Sequence, residues 1–361
     1  MVVRGVPARR RRCVRVSLLA IVVACVLSTR EARAAELSPI GVHSMLYLTH
    51  PFGAKRAMFR EAAAAGASTI RVDVELPAIF PAPPGAPDWS GVDQYIALAR
   101  TYHLRVLADL TGTPWYMADC PAGTPFDATY LCPPVDPRAW GQVAGAVAAH
   151  TRGVIDDFEI INEPDGGWAF HGTAQQYAGI LAASYDAIHA ADPRAQVALG
   201  GLENVGTYGV AWLNQVFATP GAEAIHKFDI ANIHVRTPES GAAPTVARWR
   251  RYFASAGFRG PLWVTETGYP ADPAYQTDPG YRNGATSQAK WMSRVIPAML
   301  GSGAAMVFVT ERDSLTGRFA SEGILQSADP LTADPQYKLR PSFYAVRALA
   351  RRLAHTRRRR R

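Results

Sequence analysis

From about residue 39 the chain repeats one pattern eight times: a short β-branched run, then a longer stretch with apolar residues at helical spacing. The short runs cover 41–48, 69–76, 105–110, 155–162, 196–201, 229–235, 262–266 and 306–310. The helical patterns cover 55–67, 90–102, 137–150, 174–191, 208–218, 244–256, 287–300 and 342–353. Short apolar runs alternating with helices are the mark of parallel strands buried on both faces. Eight such units predict an α/β fold, a single closed (β/α)8 TIM barrel. An open doubly wound sheet is the alternative, but it would carry a glycine-rich phosphate loop after its first strand. Leu48-Thr49-His50-Pro51 is no such loop. The punctuation agrees with the helices, since Ser90 is placed to cap the second and Gly257, Gly301 and Gly303 follow later ones.

The first 34 residues differ from the rest. Arg9 to Arg12 with Arg15 form a basic region, Val16 to Leu27 an apolar run, and Ala32-Arg33-Ala34 a small-x-small cleavage site. This predicts a secretory signal peptide cut near Ala34, hence an exported protein with no stable membrane span after cleavage. An uncleaved anchor helix and lipoprotein anchoring at Cys25 are the alternatives. Residues 35–355 then read as one domain, with no β-sandwich domain behind it and 356–361 as a disordered basic tail. The net charge of +8 belongs mostly to these ends. Residues 1–34 hold eight arginines and one glutamate, and seven more arginines lie between Arg351 and Arg361. The body is therefore mildly acidic and lacks the basic, aromatic-laced face that nucleic-acid binding needs.

Of four cysteines, Cys13 and Cys25 lie in the leader, while Cys120 and Cys132 flank a Pro/Gly-rich loop. Export makes a disulfide between the latter two the expected state. Closing such a loop stabilises by about 3 kcal/mol in the chain-entropy model. A metal site is a poor alternative, because no second Cys or His pair lies nearby at ligand spacing.

Two segments end buried runs in a glutamate: FEIINEPD at 158–165, carrying Glu163, and WVTETGYP at 263–270, carrying Glu266. A carboxylate at the end of a parallel strand faces the rim where α/β proteins do chemistry. Two such rims suggest a facing pair, the apparatus of glycoside hydrolysis. Glu163 and Glu266 can divide the roles of acid/base and nucleophile. Asn162 offers an amide to a substrate hydroxyl. Arg71, inward on the second strand, is placed to keep Glu266 ionised, and Tyr269 could support it. His43 lies on the first strand and His234 on the sixth. Trp115 and Trp168, in post-strand loops, could stack on sugar. Each residue also has a plain structural reading: solvated rim glutamates, an internal Arg71–Asp73 ion pair, a core His234, and tryptophans that anchor loops.

At these residues the chain resembles the clan A glycoside hydrolases, most of all family 39 and related bacterial cellulase-like proteins, over most of residues 39–350. The first block is Asp88-Trp89-Ser90 with Asp93, Leu104-Arg105-Val106-Leu107, and Thr113-Pro114-Trp115. Pro133-Pro134-Val135-Asp136-Pro137 and Trp140 follow. The second is Glu159 to Asp165, and the third is Thr265-Glu266-Thr267-Gly268. The resemblance implies that Glu163 is acid/base and Glu266 nucleophile, with Arg71 and His234 taking the strand-two and strand-six roles. Two positions depart from the pattern. Ile161 stands where family members often have Trp, and Phe308 stands on strand eight where many carry a Trp beneath the sugar.

The function expected is a secreted retaining glycosidase that hydrolyses O-glycosyl bonds, with β-linkage expected, in a poly- or oligosaccharide. No cofactor and no metal are expected, and the oligomeric state is not set by the sequence. A metal-dependent barrel hydrolase would need a His-x-His pair on strand one, which His43 and His234 do not supply. A catalytically inactive polysaccharide-binding barrel is the alternative of a different class, although such proteins typically lose one of the two glutamates.

Overall fold

A computed structural model describes residues 38–83, 85–314, 317–326 and 337–359 of the chain. The signal segment, Cys25 and the end of the basic tail lie outside the described residues. Eight parallel strands run β1 (Ile40–His43), β2 (Thr69–Glu75), β3 (Arg105–Thr111), β4 (Asp157–Ile160), β5 (Gln196–Leu199), β6 (Ala231–His234), β7 (Leu262–Thr267) and β8 (Ala304–Thr310). They hydrogen-bond in the order β5-β4-β3-β2-β1-β8-β7-β6. The ring closes between β5 and β6 through parallel bridges at Ala198–Ile230 and Leu202–Ile233. Helices on the outside are α1 (Phe52–Ala64), α2 (Ser90–Tyr102), α3 (Pro137–Thr151), α4 (Ala174–Ala191), α5 (Thr207–Phe217), α6 (Glu239–Ser255), α7 (Gly284–Gly301) and α8 (Pro341–Arg359). This is the single (β/α)8 barrel that the alternating pattern predicts. A separate two-stranded ribbon pairs Leu325–Gln326 with Lys338–Leu339.

The strands carry apolar side chains on both faces, for different reasons. Outward residues such as Val72, Phe158 and Val264 pack under the helices. Inward residues Leu107, Ala198, Ile230, Trp263, Met306 and Phe308 fill a second, smaller core inside the ring. Phe308 is fully buried there, 5.7 Å from the Trp263 ring. A Cβ on Gly41 would meet the Phe308 ring at 2.4 Å, so glycine at 41 is what lets the ring enter. Phe308 is thus barrel core and not the sugar floor that its place on strand eight allowed.

Several helix ends differ from the sequence expectation. The α2 start is held by Asp88, whose Oδ1 accepts the Ser90 backbone N–H at 2.9 Å, so the capping side chain is Asp88 and not Ser90. Helix α6 begins at Glu239, ahead of Pro244, because the Asp278 carboxylate from a distant loop accepts the Glu239 N–H at 2.6 Å. Helix α8 runs to Arg359, past the sequence estimate of 353. Cys120 and Cys132 form a disulfide with Cα atoms 5.4 Å apart, stapling the loop after β3.

Glu311 follows β8 and is fully buried, with no hydrogen-bond partner for either carboxylate oxygen among the described residues. Burial, reinforced by Glu61, raises its pKa well above the usual carboxylate range despite Arg312. A raised folded pKa means stability is fullest below the unfolded value and falls as pH rises above it. Replacing Glu311 by Met removes the buried acid. At pH 8 this should stabilise by about 1–3 kcal/mol in chemical denaturation, and the gain should shrink at pH 4. Equal or lower stability of the variant at pH 8 would refute it.

Candidate active site

The sequence places Glu163 at the end of a strand, but the regular ladder of β4 stops at Ile160. Ile161 and Glu163 then take left-handed backbone angles, φ 61° and 43°. Positive φ at a β-branched residue is strained, on the order of 1 kcal/mol or more, and such strain gathers at functional sites. Space for this kink comes from the neighbouring strand, since a Cβ on Gly200 would meet the Ile161 carbonyl at 2.2 Å. The Glu163 N–H is held by the Gly201 carbonyl at 3.1 Å. The kink turns the Glu163 side chain toward the mouth of the ring, where it is 4% exposed.

Glu266, near the end of β7, is equally buried and lies on the opposite wall. One oxygen of Glu163, one of Glu266 and a ring nitrogen of His234 all lie within 4.8 Å of one another. His234 bridges the pair. Its Nδ1 is 2.6 Å from Glu163 Oε1, and its Nε2 is 3.6 Å from Glu266 Oε1 and 3.1 Å from the Thr265 hydroxyl. A Cβ on Gly201 would meet that imidazole at 2.1 Å, which ties the Gly200-Gly201 pair to both acids.

Beneath the pair, Arg71 is 1% exposed and fully engaged. Its guanidinium forks onto Glu159 at 2.7 and 2.9 Å, and donates to Asp109 at 3.1 Å, Asn162 Oδ1 at 2.8 Å and Glu266 Oε1 at 3.0 Å. The His43 Nδ1 lies 2.9 Å from the same group, and its Nε2 is 3.3 Å from Glu266. The arginine therefore pairs with Glu159, Asp109 and Glu266 rather than with Asp73. Arg236 supplies a second guanidinium, donating to Glu266 Oε2 at 2.5 Å and to Glu322 Oε2 at 3.1 Å. Burial alone would raise the Glu266 pKa; His234, His43, Arg236 and Arg71 outweigh it and hold the carboxyl well below the usual range. Glu266 is thus kept ionised in a site that excludes most water. Burial pushes His43 well below the ordinary imidazole value, with Arg71 and Arg236 adding to the effect and Glu266 opposing it.

These groups open into a cleft of about 720 Å³, lined by both glutamates together with Asn162, Trp168, Arg236 and Phe319 among others. The size is that of a small-ligand site. Of the residues expected from sequence, Glu163, Glu266, Asn162, His234, His43 and Trp168 line it, and Arg71 lies just below. Two do not reach it. The Tyr269 hydroxyl donates to the Tyr281 carbonyl at 2.9 Å and its ring stacks on Trp291, so it braces the following loop. Trp115 turns outward, 48% exposed, with its indole N–H on the Pro81 carbonyl at 2.9 Å.

Arg236, Glu322, Glu203 and Phe319 belong to the site and were not singled out from sequence. A signal existed for one of them. His234-Val235-Arg236 alternates, and alternation along a strand puts His234 and Arg236 on the same face. Glu322 and Phe319 come from the long loop after β8 and carry no such signal.

The three-ligand spacing of Glu163, His234 and Glu266 also has the form of a small metal site. The donor set does not fit a cation, because Arg71 and Arg236 already occupy both Glu266 oxygens with positive charge.

No protein-family model and no curated protein matches the chain. Solved structures do. A family 39 glycoside hydrolase from Bacteroides cellulosilyticus WH2 superposes with TM-score 0.63 at 16% identity over 88% of this chain and 64% of its own. GH5_18 from Streptomyces cattleya, in complex with Manβ1-4GlcNAc, gives 0.62 at 20% identity over 86% of this chain and 80% of its own. The exo-β-1,4-mannosidase Op5Man5 from Opitutaceae bacterium strain TAV5 gives 0.60 at 15% identity over 89% and 60%. The chain therefore spans about two thirds or less of the length of the first and third of these proteins. At such identities the likeness is one of fold: this chain has the (β/α)8 barrel that clan A glycoside hydrolases use.

Proposed function

We propose that the protein is a retaining glycosidase that hydrolyses O-glycosyl bonds of an oligo- or polysaccharide by double displacement. One observation carries this reading: two buried carboxylates whose nearest oxygens lie within 4.8 Å, one of them held ionised by a cationic cage. Retaining enzymes place their carboxyl groups about 5–5.5 Å apart, whereas inverting ones need about 6.5–9.5 Å to admit a water. Nearest oxygens within 4.8 Å favour the first class.

The chemistry follows from the two environments. Glu266 attacks the anomeric carbon while Glu163 gives its proton to the departing oxygen, leaving a glycosyl ester on Glu266. Water then enters where the leaving group was, loses a proton to Glu163 and attacks the same carbon, releasing Glu266 as carboxylate. Arg71, Arg236, His43 and His234 stabilise the charge that returns to Glu266 in this second step. Trp168, 59% exposed at the cleft wall, presents an aromatic face to a sugar ring. A β-linkage is favoured by the company this fold keeps, an exo-β-1,4-mannosidase and GH5_18 holding Manβ1-4GlcNAc. Export is favoured by the Cys120–Cys132 disulfide, which persists in oxidising compartments.

The test is a panel of aryl β-glycosides and polysaccharides followed by proton NMR of the first product. The β-anomer should appear first and mutarotate later. Initial release of the α-anomer from a β-glycoside would exclude double displacement, and binding without turnover across the panel would make the protein a carbohydrate-binding barrel instead.

A further inference from the structure

The cleft does not end at the paired glutamates. A second cavity of about 510 Å³ adjoins it, and the two share Tyr47, Asp73, Asn162 and Trp168 as a common wall. The far side of this second lobe is built partly by Tyr130, from the loop stapled by Cys120–Cys132. A chain with one sugar over Glu266 would therefore lay its next unit in the second lobe, against Trp168.

The two lobes differ in charge. The first sets Arg236, Arg318, His43 and His234 against its carboxylates. Among the described residues, the second is lined by two acids, Asp73 and Glu75, and by no Lys, Arg or His. Those acids sit at alternate positions of β2 and so face the same side. Nearby cations direct their hydrogen bonds elsewhere, although Lys55 still lowers Glu75 at a distance. Lys55 Nζ donates to the Leu48 carbonyl at 2.6 Å and Gln94 Oε1 at 2.9 Å. Arg312 donates to the Ser44 and Met45 carbonyls at 3.2 and 2.6 Å, and Arg71 is saturated as described above. Consistent with this, burial, with help from Glu75 and Glu266, pushes Asp73 up to about 7 against the pull of Arg71, and burial raises Glu75 as well.

We infer that the second lobe is a sugar subsite beside the cleavage point that takes an uncharged sugar and rejects a uronic acid, with Asp73 and Glu75 setting that choice. The inference rests on the glycosidase reading of the adjoining site. Hydroxyls of a neutral sugar donate to the two carboxylates, which makes charge-assisted hydrogen bonds. A uronate carboxylate in the same space meets like charge at close range in a partly desolvated pocket, where screening by salt is weak but not absent.

The experiment uses ligands that share one backbone and differ only in charge: cellotetraose and β-1,4-linked tetraglucuronic acid. Binding is measured calorimetrically at pH 8 to the full chain carrying Glu266→Gln, so that turnover does not interfere. Cellotetraose should bind at least tenfold more tightly, about 1.4 kcal/mol. Adding Asp73→Asn with Glu75→Gln, which keep the shapes, should narrow that gap to about threefold. Raising the salt concentration should narrow it in the parent, a response that a purely structural role would not give. An unchanged gap in the charge-neutral variant overturns the inference, as does equal binding of the uronide, or no binding of either ligand. Each single substitution serves as the check should the double variant fold poorly. Because binding is read without hydrolysis, a protein that discriminates but cuts nothing would sink only the glycosidase reading.

Discussion

Replacing Glu266 by Gln should lower kcat/KM on any glycoside the protein cuts by about 10⁴-fold or more while leaving the barrel folded. The amide fills the same space and keeps one acceptor for Arg71 and Arg236, but it cannot form the glycosyl ester. The matching variant for chemical rescue is Glu266→Ala, which leaves room for azide. Azide entering from the Glu266 side inverts the anomeric carbon, so a β-glycoside should give an α-glycosyl azide. In Glu163→Ala azide enters from the other face after the ester has formed, and the product should be the β-azide. Those two opposite products assign nucleophile and acid/base separately. Identical azide anomers from both variants, or full activity in Glu266→Gln, would end the assignment. The same substitution has a signature in stability. A carboxyl with a depressed folded pKa contributes stability that is complete above its unfolded value and lost as pH falls through the folded one. The wild type should therefore lose stability more steeply than Glu266→Gln as the pH drops below about 4.5.

The second large effect is structural. Arg71→Ala should destabilise the protein by about 3–5 kcal/mol or more, because it strips the counter-charge from Glu159 and Glu266 and takes from Asp109, whose pKa burial raises, its donor. Glu159 and Asp109 are fully buried, and both depend on that one guanidinium for their ion pairs. For a domain of this size the loss corresponds to a fall in Tm of about 5–8 °C. Arg71→Lys should recover little, since an ammonium cannot fork onto Glu159 while also reaching Asn162 and Glu266. A Tm within about 2 °C of wild type for Arg71→Ala would show that these acids are neutral or otherwise paired. Activity should fall in step, as Arg71 is one of four groups that keep Glu266 ionised.

What the sequence determined by itself was periodicity and the inward positions it implies. Eight β-branched runs separated by helical patterns leave little but a ring of parallel strands, and each helix fell within a few residues of its expected place. Glu163, Glu266 and His234 were legible because each sits at or near a strand end, and Arg71 because alternation along β2 turns it inward. What only the tertiary structure decided was what meets what. Arg236 completes the cage around Glu266 although it lies two residues beyond β6, and Glu322 and Phe319 arrive from the loop after β8. Tyr269, three residues past Glu266, and Trp115, in the loop after β3, face away because loops after a strand can turn either way. The kink at Ile161 and Glu163 was hidden because its room is supplied by Gly200, just past the end of the neighbouring β5. Local pattern sets which side of a strand a residue occupies, while the reach of a long side chain across the ring depends on every strand around it.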